Sequence, residues 1–218
     1  MAESSKRLPQ SLWIGSSLLF GLLGLTAMVS FLQTRRAETP ALPVLGLIAD
    51  FTLTNQAARV TTLADLTNHV WVADIIFSRC AGPCPRMTQQ MKSLQDLLPA
   101  DNAVRFVTLT TDPGHDTPPV LEKYGRRFDA DFSRWMFLTG TKPEIAALAS
   151  GSLKLSAVPV PAAEQKDAAD LFIHTTIFVV VDKHARLRGV FETGGEGVEW
   201  TNVQPRLIDV VRQLEHEP

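Results

Sequence analysis

The sequence predicts an α/β domain that follows one apolar N-terminal helix. Two runs, VWVADIIF at Val70–Phe77 and TTIFVVV at Thr175–Val181, are nearly continuous in apolar residues, as is usual for central strands that helices cover on both faces. Around these runs the apolar spacing alternates between strand-like and helix-like periods. This alternation is typical of a sheet flanked by helices.

The N-terminal apolar segment, Leu12–Leu32, contains no charged residue and is bounded by basic pairs. About 20 such residues, each rising about 1.5 Å, span a bilayer core of about 30 Å. A cleaved signal peptide is the alternative interpretation. However, the run is longer than the usual apolar region of about 7–15 residues, and no A-x-A-like site follows it. We therefore expect residues 12–32 to be an uncleaved, single-pass transmembrane anchor.

The region after the anchor is expected to be a proline-containing linker at 33–48 and one domain at 49–218. The predicted strands are Asp50–Thr54, Val70–Phe77, Val104–Thr110, Trp135–Leu138, Thr175–Val181 and Leu187–Phe191. The predicted helices are Pro85–Leu98, Pro118–Phe128, Pro143–Ala149 and Val203–Leu214. The segment Ser156–Ala169 is rich in proline and alanine and lacks periodicity, so we expect it to be a surface excursion.

The composition is that of an ordinary globular protein, with 45% apolar residues, 20% charged residues and a net charge of −2. No stripe of lysine and arginine crosses the domain. Because nucleic-acid binding depends on neutralising phosphates, we expect no nucleic-acid partner.

The two cysteines, Cys80 and Cys84, lie between a predicted buried strand and a predicted helix. Each has only the other as an intramolecular partner. The positive end of the helix dipole, with Arg79 and Arg86 nearby, is expected to favour thiolates, which are both nucleophiles and metal ligands. With this loop in place, the order of elements is that of a thioredoxin-like domain.

The spacing of the cysteines favours a metal site mildly over a disulfide. The Cβ atoms of residues four apart on a helix lie about 5–6 Å from each other. A relaxed disulfide needs its two Cβ atoms about 3.5–4.5 Å apart. Soft thiolates select Cu(I) or Zn(II), and a structural zinc site would want four ligands. Two thiolates with one imidazole suit copper. Inert thiols or a structural disulfide are the least favoured alternatives.

The third ligand could come from several histidines. His184 and His216 are predicted to be exposed, in a hairpin turn and in the C-terminal tail. His69 is expected at the far end of the strand that leads to the cysteines. His115 and His174 flank other predicted strands, and either could approach the thiols.

Four motifs in order resemble the SCO/SenC family of copper chaperones, thioredoxin-like proteins that help to assemble cytochrome c oxidase. Phe77–Pro85 resembles the family's F-x-x-C-x-x-x-C-P, and Thr110–Pro118 resembles its V-D-P-x-x-D-T-P segment. Phe137–Gly140 is similar to its L-T-G, and Ile173–Thr175 to its D-H-[ST]. This resemblance implies copper, as Cu(I) or Cu(II), bound by Cys80, Cys84 and His174.

The sequence departs from the family pattern at three places. Ala81-Gly82-Pro83 separates the cysteines, Thr111 replaces a valine, and Ile173 replaces an acid. None of these changes removes an implied ligand. Asp112 matches a motif acid whose role, in orienting a ligand or in forming a turn, stays open.

The resemblance implies a copper chaperone rather than an enzyme, with the copper-site subunit of cytochrome c oxidase as its recipient. We expect the anchor to lie in the inner membrane, residues 1–11 in the cytoplasm and the domain in the periplasm. An oxidising periplasm would also require a thiol reductant partner. The alternative is a thiol:disulfide oxidoreductase in which Cys80 and Cys84 form a redox-active pair and Cys80 attacks first.

Overall fold

The computed structural model describes residues 21–28, 41–99, 104–155, 157–159, 172–174 and 176–217, with the backbone alone for 157–159 and 172–174. The chain divides into two compact units, Met1–Ala41 and Leu42–Pro218. In the first unit, residues 21–28 are α-helical. The remainder of the predicted anchor, and residues 1–11, lie outside the described residues. None of the helices described is both long and apolar enough to cross a bilayer.

The second unit is built from strands and helices whose bounds, within the described residues, are as follows. The strands are β1 (Gly46–Leu47), β2 (Thr52–Asn55), β3 (Val60–Thr62), β4 (Val70–Ile76), β5 (Val104–Thr110), β6 (Trp135–Thr139), β7 (Ala157–Pro159), β8 (Phe172–His174), β9 (Ile177–Val181) and β10 (Arg186–Glu192). The helices are α1 (Pro83–Leu97), α2 (Pro118–Arg127), α3 (Lys142–Ala146) and α4 (Trp200–His216), with a 3-10 turn at Leu63–Asp65 and a π-helical turn at Ala147–Ser152.

Eight strands form one sheet in the order β1-β10-β9-β4-β5-β6-β2-β3. β4, β5 and β6 are parallel, whereas β9 runs antiparallel to β4. Every residue of β4 is buried, because apolar clusters cover both faces of the sheet. Helices α1, α2 and α4 pack on one face, and α3 with the π-helical turn packs on the other. The predicted α/β sheet flanked by helices is confirmed.

The folded domain begins earlier than the predicted boundary at residue 49. The N–H of Leu45 donates to the carbonyl of Leu187 at 2.8 Å, and β1 pairs with β10 at the edge of the sheet. The guanidinium of Arg188 also donates to the carbonyl of Leu42 at 2.7 Å. A two-residue strand is too short to show an alternating pattern, so the sequence did not reveal it.

The predicted excursion at Ser156–Ala169 is bordered by a separate two-stranded ribbon. β7 pairs antiparallel with β8, with Ala157 opposite His174. Residues 160–171, between these strands, lie outside the described residues. The strand predicted at Thr175–Val181 begins at Ile177.

Candidate functional site

The two cysteines lie where β4 ends and α1 begins. The N–H of Cys80 donates to the carbonyl of Phe77 at 3.1 Å, which closes a tight turn after the strand. Helix α1 then starts at Pro83, where a missing N–H costs nothing. Both cysteines are thiols rather than a disulfide. Cys84 is fully buried and Cys80 is 7% exposed, so Cys80 is the more exposed of the two residues.

The thiol of Cys84 is held in its protonated form. A hydrogen bond with the side chain of Cys80 is the largest cause that raises the pKa of Cys84 above its ordinary value of 9.0, and burial raises it further. Electrostatic interactions with Cys80 and Asp74 raise the pKa of Cys84 as well, and a backbone hydrogen bond from Phe77 opposes this increase only in part. The prediction of a thiolate at this helix start is therefore wrong for Cys84. Desolvation and the neighbouring thiol outweigh the helix dipole.

The raised pKa of Cys84 predicts that the reduced, metal-free protein is sensitive to alkali. Above the ordinary value of 9.0, the unfolded chain loses this proton while the folded chain keeps it. The resulting stabilisation is complete below the unfolded pKa and is lost as the pH rises toward the folded pKa. We expect this group to lower the free energy of unfolding by up to about 1.4 kcal/mol per pH unit in that range.

Thermal unfolding of the reduced protein as a function of pH measures this effect. Cys84→Ser cannot titrate in the same range, so its Tm should fall less steeply above pH 9. Equal slopes for the two proteins would contradict the raised pKa.

A buried carboxylate and a buried phenol lie close to Cys84. Asp74 in β4 is completely buried, and its charge raises the pKa of both Cys84 and Tyr124. The hydroxyl of Tyr124 lies 2.8 Å from Oγ1 of Thr88, which donates to the carbonyl of Cys84 at 2.9 Å. Burial is the main cause that raises the pKa of Tyr124 above its ordinary value of 10.0. The inner cysteine therefore lies beside polar groups that water does not reach.

A second loop holds the turn that leads to the first cysteine. The buried carboxylate of Asp116 accepts hydrogen bonds from the N–H of Ser78 at 3.0 Å and from Oγ1 of Thr110 at 2.5 Å. It also accepts one from the hydroxyl of Ser78. Asp112, at the start of the same loop, accepts a hydrogen bond from Arg79 at 2.5 Å. The guanidinium of Arg79 therefore forms an ion pair with Asp112, so its positive charge does not act on the thiols alone.

The structure does not bring a described histidine side chain to the cysteines. His115, His184 and His216 are exposed, and His69 precedes β4, at the end of that strand opposite to the cysteine loop. His174 is the last residue of β8, and its side chain lies outside the described part of the structure. Among the side chains that are described, no three His, Cys, Asp or Glu residues are grouped to hold a metal. The third ligand stays a prediction.

The start of β9 is fastened to helix α1 by one turn. The N–H and Oγ1 of Thr193 donate to the carbonyl of Thr176 at 2.7 and 3.0 Å. Oγ1 of Thr176 donates to the carbonyl of Gly194 at 2.6 Å. From α1, Nε2 of Gln90 donates to the carbonyl of Thr193 at 2.9 Å. This turn therefore holds the chain entering β9 against the helix that carries the second cysteine.

Sequence reasoning missed Asp74 and left Asp112 and Asp116 without a role. The signal for Asp74 is a single charged residue inside the apolar run VWVADIIF. The signal for the other two is their spacing of four residues in TTDPGHDTP, which a single turn can bring to one side.

Comparisons with known proteins agree with this arrangement. A sequence profile of the SCO1/SenC family matches residues 43–204, a range that includes both cysteines, the Asp112–Asp116 loop and β8. The SCO1 protein homolog of Bacillus subtilis is 37% identical over 165 residues, which are 75% of this chain and 80% of that protein.

Solved structures show the same fold. BsSco, a member of the Sco family of cytochrome c oxidase assembly proteins in which a disulfide switch has been identified, is 30% identical. It is matched over 81% of this chain and 99% of its own, with a TM-score of 0.65. Bradyrhizobium japonicum ScoI, solved with copper bound, is 20% identical over 77% of this chain and 99% of its own, with a TM-score of 0.59. The thioredoxin-like fold predicted from the order of elements is confirmed.

Proposed function

Because this chain belongs to the SCO1/SenC family, we propose that it is a membrane-anchored copper chaperone. It binds copper through Cys80, Cys84 and His174 and delivers it to the dinuclear copper site of cytochrome c oxidase during assembly. The family is associated with oxidase assembly and copper binding, and the proposal assigns these roles to particular residues of this chain.

The paired sulfurs of Cys80 and Cys84 are the observation that carries the proposal. The hydrogen bond between these side chains places two soft donor atoms side by side, just beyond the end of the central strand β4. A soft, low-coordinate ion such as Cu(I) prefers such donors. Because thiols must lose their protons to bind a metal, copper would replace the proton that Cys84 holds, and loading would release it. The partial exposure of Cys80 leaves a route for ligand exchange with a recipient.

The backbone supports His174 as the third ligand. β9 pairs with β4 through Trp71 opposite Val181 and Ala73 opposite Val179. Continuing this register leads the chain before β9 toward the end of β4, where the cysteine loop begins. Thr176, which the turn after β10 fastens to α1, is two residues from His174, a span of at most about 7 Å.

The proposal includes a location and a second partner. Residues 12–32 anchor the chain in the inner membrane by a single pass, with residues 1–11 in the cytoplasm and the domain in the periplasm. The uncharged, apolar sequence of residues 12–32 and its length support this anchor. Because the periplasm is kept oxidising, a thiol reductant partner would maintain the two cysteines as thiols.

A thiol:disulfide oxidoreductase is the second candidate function. The disulfide switch of BsSco and the greater exposure of Cys80 than of Cys84 favour it. On this hypothesis Cys80 attacks a disulfide of the oxidase copper site or of another envelope protein, Cys84 resolves the mixed disulfide, and His174 is dispensable.

Deletion of this chain from its cell tests the proposed function. We expect loss of cytochrome c oxidase activity and of copper in its dinuclear site, because the metal is no longer delivered. The full chain should restore both, Cys84→Ser should restore neither, and copper added to the medium should restore part of the activity. Unchanged oxidase copper content in the deletion cells would contradict the proposal. Restoration by a small thiol reductant, but not by copper, would favour the oxidoreductase.

A further inference from the structure

The carboxylate of Asp116 is completely buried, yet its hydrogen-bond donors are neutral groups. They are the N–H and hydroxyl of Ser78 and the hydroxyl of Thr110. In the described part of the chain, no salt bridge involves Asp116. Hydrogen bonds to a charged group are stronger than those between neutral groups, so this carboxylate holds Ser78 and Thr110 firmly in place.

Asp116 is itself fixed to the sheet, independently of the cysteine loop. Its N–H donates to the carbonyl of Asp112 at 2.8 Å, which closes a turn after β5. The N–H of Thr111 donates to the carbonyl of Ile76 at 2.8 Å, and this bond joins the ends of β4 and β5. The carboxylate is therefore held by the ends of the two central parallel strands.

Ser78 transmits this attachment to the first cysteine. Both of its donors point to Asp116. Cys80 is two positions after Ser78 in the chain, a span of at most about 7 Å. The hydrogen bond from the N–H of Cys80 to the carbonyl of Phe77 closes the same turn around Ser78. A shift of Ser78 would therefore move the sulfur of Cys80 relative to that of Cys84.

We propose that Asp116 is a positioning residue that holds Cys80 beside Cys84. It acts through Ser78, to which its carboxylate is hydrogen-bonded. This role of Asp116 rests on the proposed function in one respect, because it requires Cys80 to be a working thiol of that site. It holds equally for copper binding and for thiol exchange, because both need the two sulfurs side by side.

The test is the equilibrium between the full-length protein and a glutathione redox buffer. In this reaction the two thiols and one oxidised glutathione give the Cys80–Cys84 disulfide and two reduced glutathiones. Asp116→Asn keeps the shape of the side chain but offers one acceptor oxygen to three donors. We expect the equilibrium constant for forming the Cys80–Cys84 disulfide to fall about tenfold. This fall corresponds to a reduction potential about 30 mV more oxidising. Ser78→Ala should shift it in the same direction by less.

Asp131→Asn is the matched control. Asp131 also accepts hydrogen bonds from the N–H and hydroxyl of a serine, Ser133, at 3.0 and 2.6 Å, but it precedes β6, at the end of the parallel strands opposite to the cysteines. The equilibrium constant for disulfide formation in Asp131→Asn should equal that of the wild type. A constant within twofold of wild type in both Asp116→Asn and Ser78→Ala would overturn the proposal, even if both variants unfold more easily. Because the assay contains no copper, this result would leave the copper-chaperone proposal standing.

Discussion

Replacing Cys84 by serine is expected to abolish tight copper binding by the reduced protein. A serine hydroxyl stays protonated and is a hard donor, whereas Cu(I) prefers soft thiolates. We expect the affinity to fall by about a thousandfold or more, which is about 4 kcal/mol or more of binding free energy. Cys80→Ser should lose a comparable amount, because a two-coordinate or three-coordinate site cannot compensate for a missing sulfur.

An anaerobic competition titration of the full chain against a chromophoric Cu(I) chelator measures the loss. Met91→Leu is the control, because Met91 is another buried sulfur on the face of α1 that joins the same core cluster as Cys84. Its thioether is replaced by a group of similar volume, at a cost of less than about 1.5 kcal/mol in stability. It should bind copper as the wild type does. Equal affinities for Cys84→Ser and Met91→Leu would exclude Cys84 as a ligand.

The second large effect is expected at a buried ion pair between Asp182 and Arg188. Their side chains are each 3% exposed, and Nη1 of Arg188 lies 2.6 Å from Oδ2 of Asp182. Arg188 also donates to the carbonyl of Leu42 at 2.7 Å and pairs with Glu217 at 2.8 Å. One guanidinium therefore joins the β9–β10 hairpin to the first and last parts of the folded unit.

Asp182→Ala should lower the free energy of unfolding by about 3–5 kcal/mol, because it leaves a buried guanidinium without its main counter-charge. Chemical denaturation of the reduced protein measures the change. The matched variant is Glu122→Ala, which breaks an exposed pair with Arg126 and should cost no more than about 1 kcal/mol. Similar losses in the two variants would show that the buried pair is not a principal support of the fold.

The same pair predicts sensitivity to acid. Burial alone would raise the pKa of Asp182, but hydrogen bonds from Arg188, from the Arg186 backbone and side chain and from the His184 backbone lower it below its ordinary value of 3.8. Because the folded pKa is the lower one, the stabilisation is present above the unfolded pKa and is lost as the pH falls through the folded pKa. Acid unfolding of Asp182→Ala should lack this contribution.

The main elements of the fold could be predicted because their signals are local. VWVADIIF and TTIFVVV are apolar enough to mark buried strands, and prolines mark the starts of helices such as α2. The short edge strands could not be predicted, because two or three residues show no period. β1 exists through its pairing with β10 and the hydrogen bonds of Arg188, which are contacts between residues distant in sequence.

The candidate site was predictable in its residue types but not in its electrostatics. Position at a helix start suggested a thiolate, yet Cys84 is buried and hydrogen-bonded to Cys80, so its pKa is raised. Burial depends on how α1 packs on the sheet, which spacing alone does not reveal. The role of Asp116 likewise depends on two loops that are 38 residues apart meeting at Ser78.

On the proposed function, His174 completes a copper site with the two cysteines. The most direct measurement is the Cu(I) affinity of the reduced full chain carrying His174→Ala, with His184→Ala, a change at an exposed histidine of the β9–β10 turn, as the control. Loss of one ligand predicts an affinity at least about tenfold lower, or 1.4 kcal/mol, for His174→Ala, and an unchanged affinity for His184→Ala. Equal affinities for the two variants would contradict the proposed ligand set.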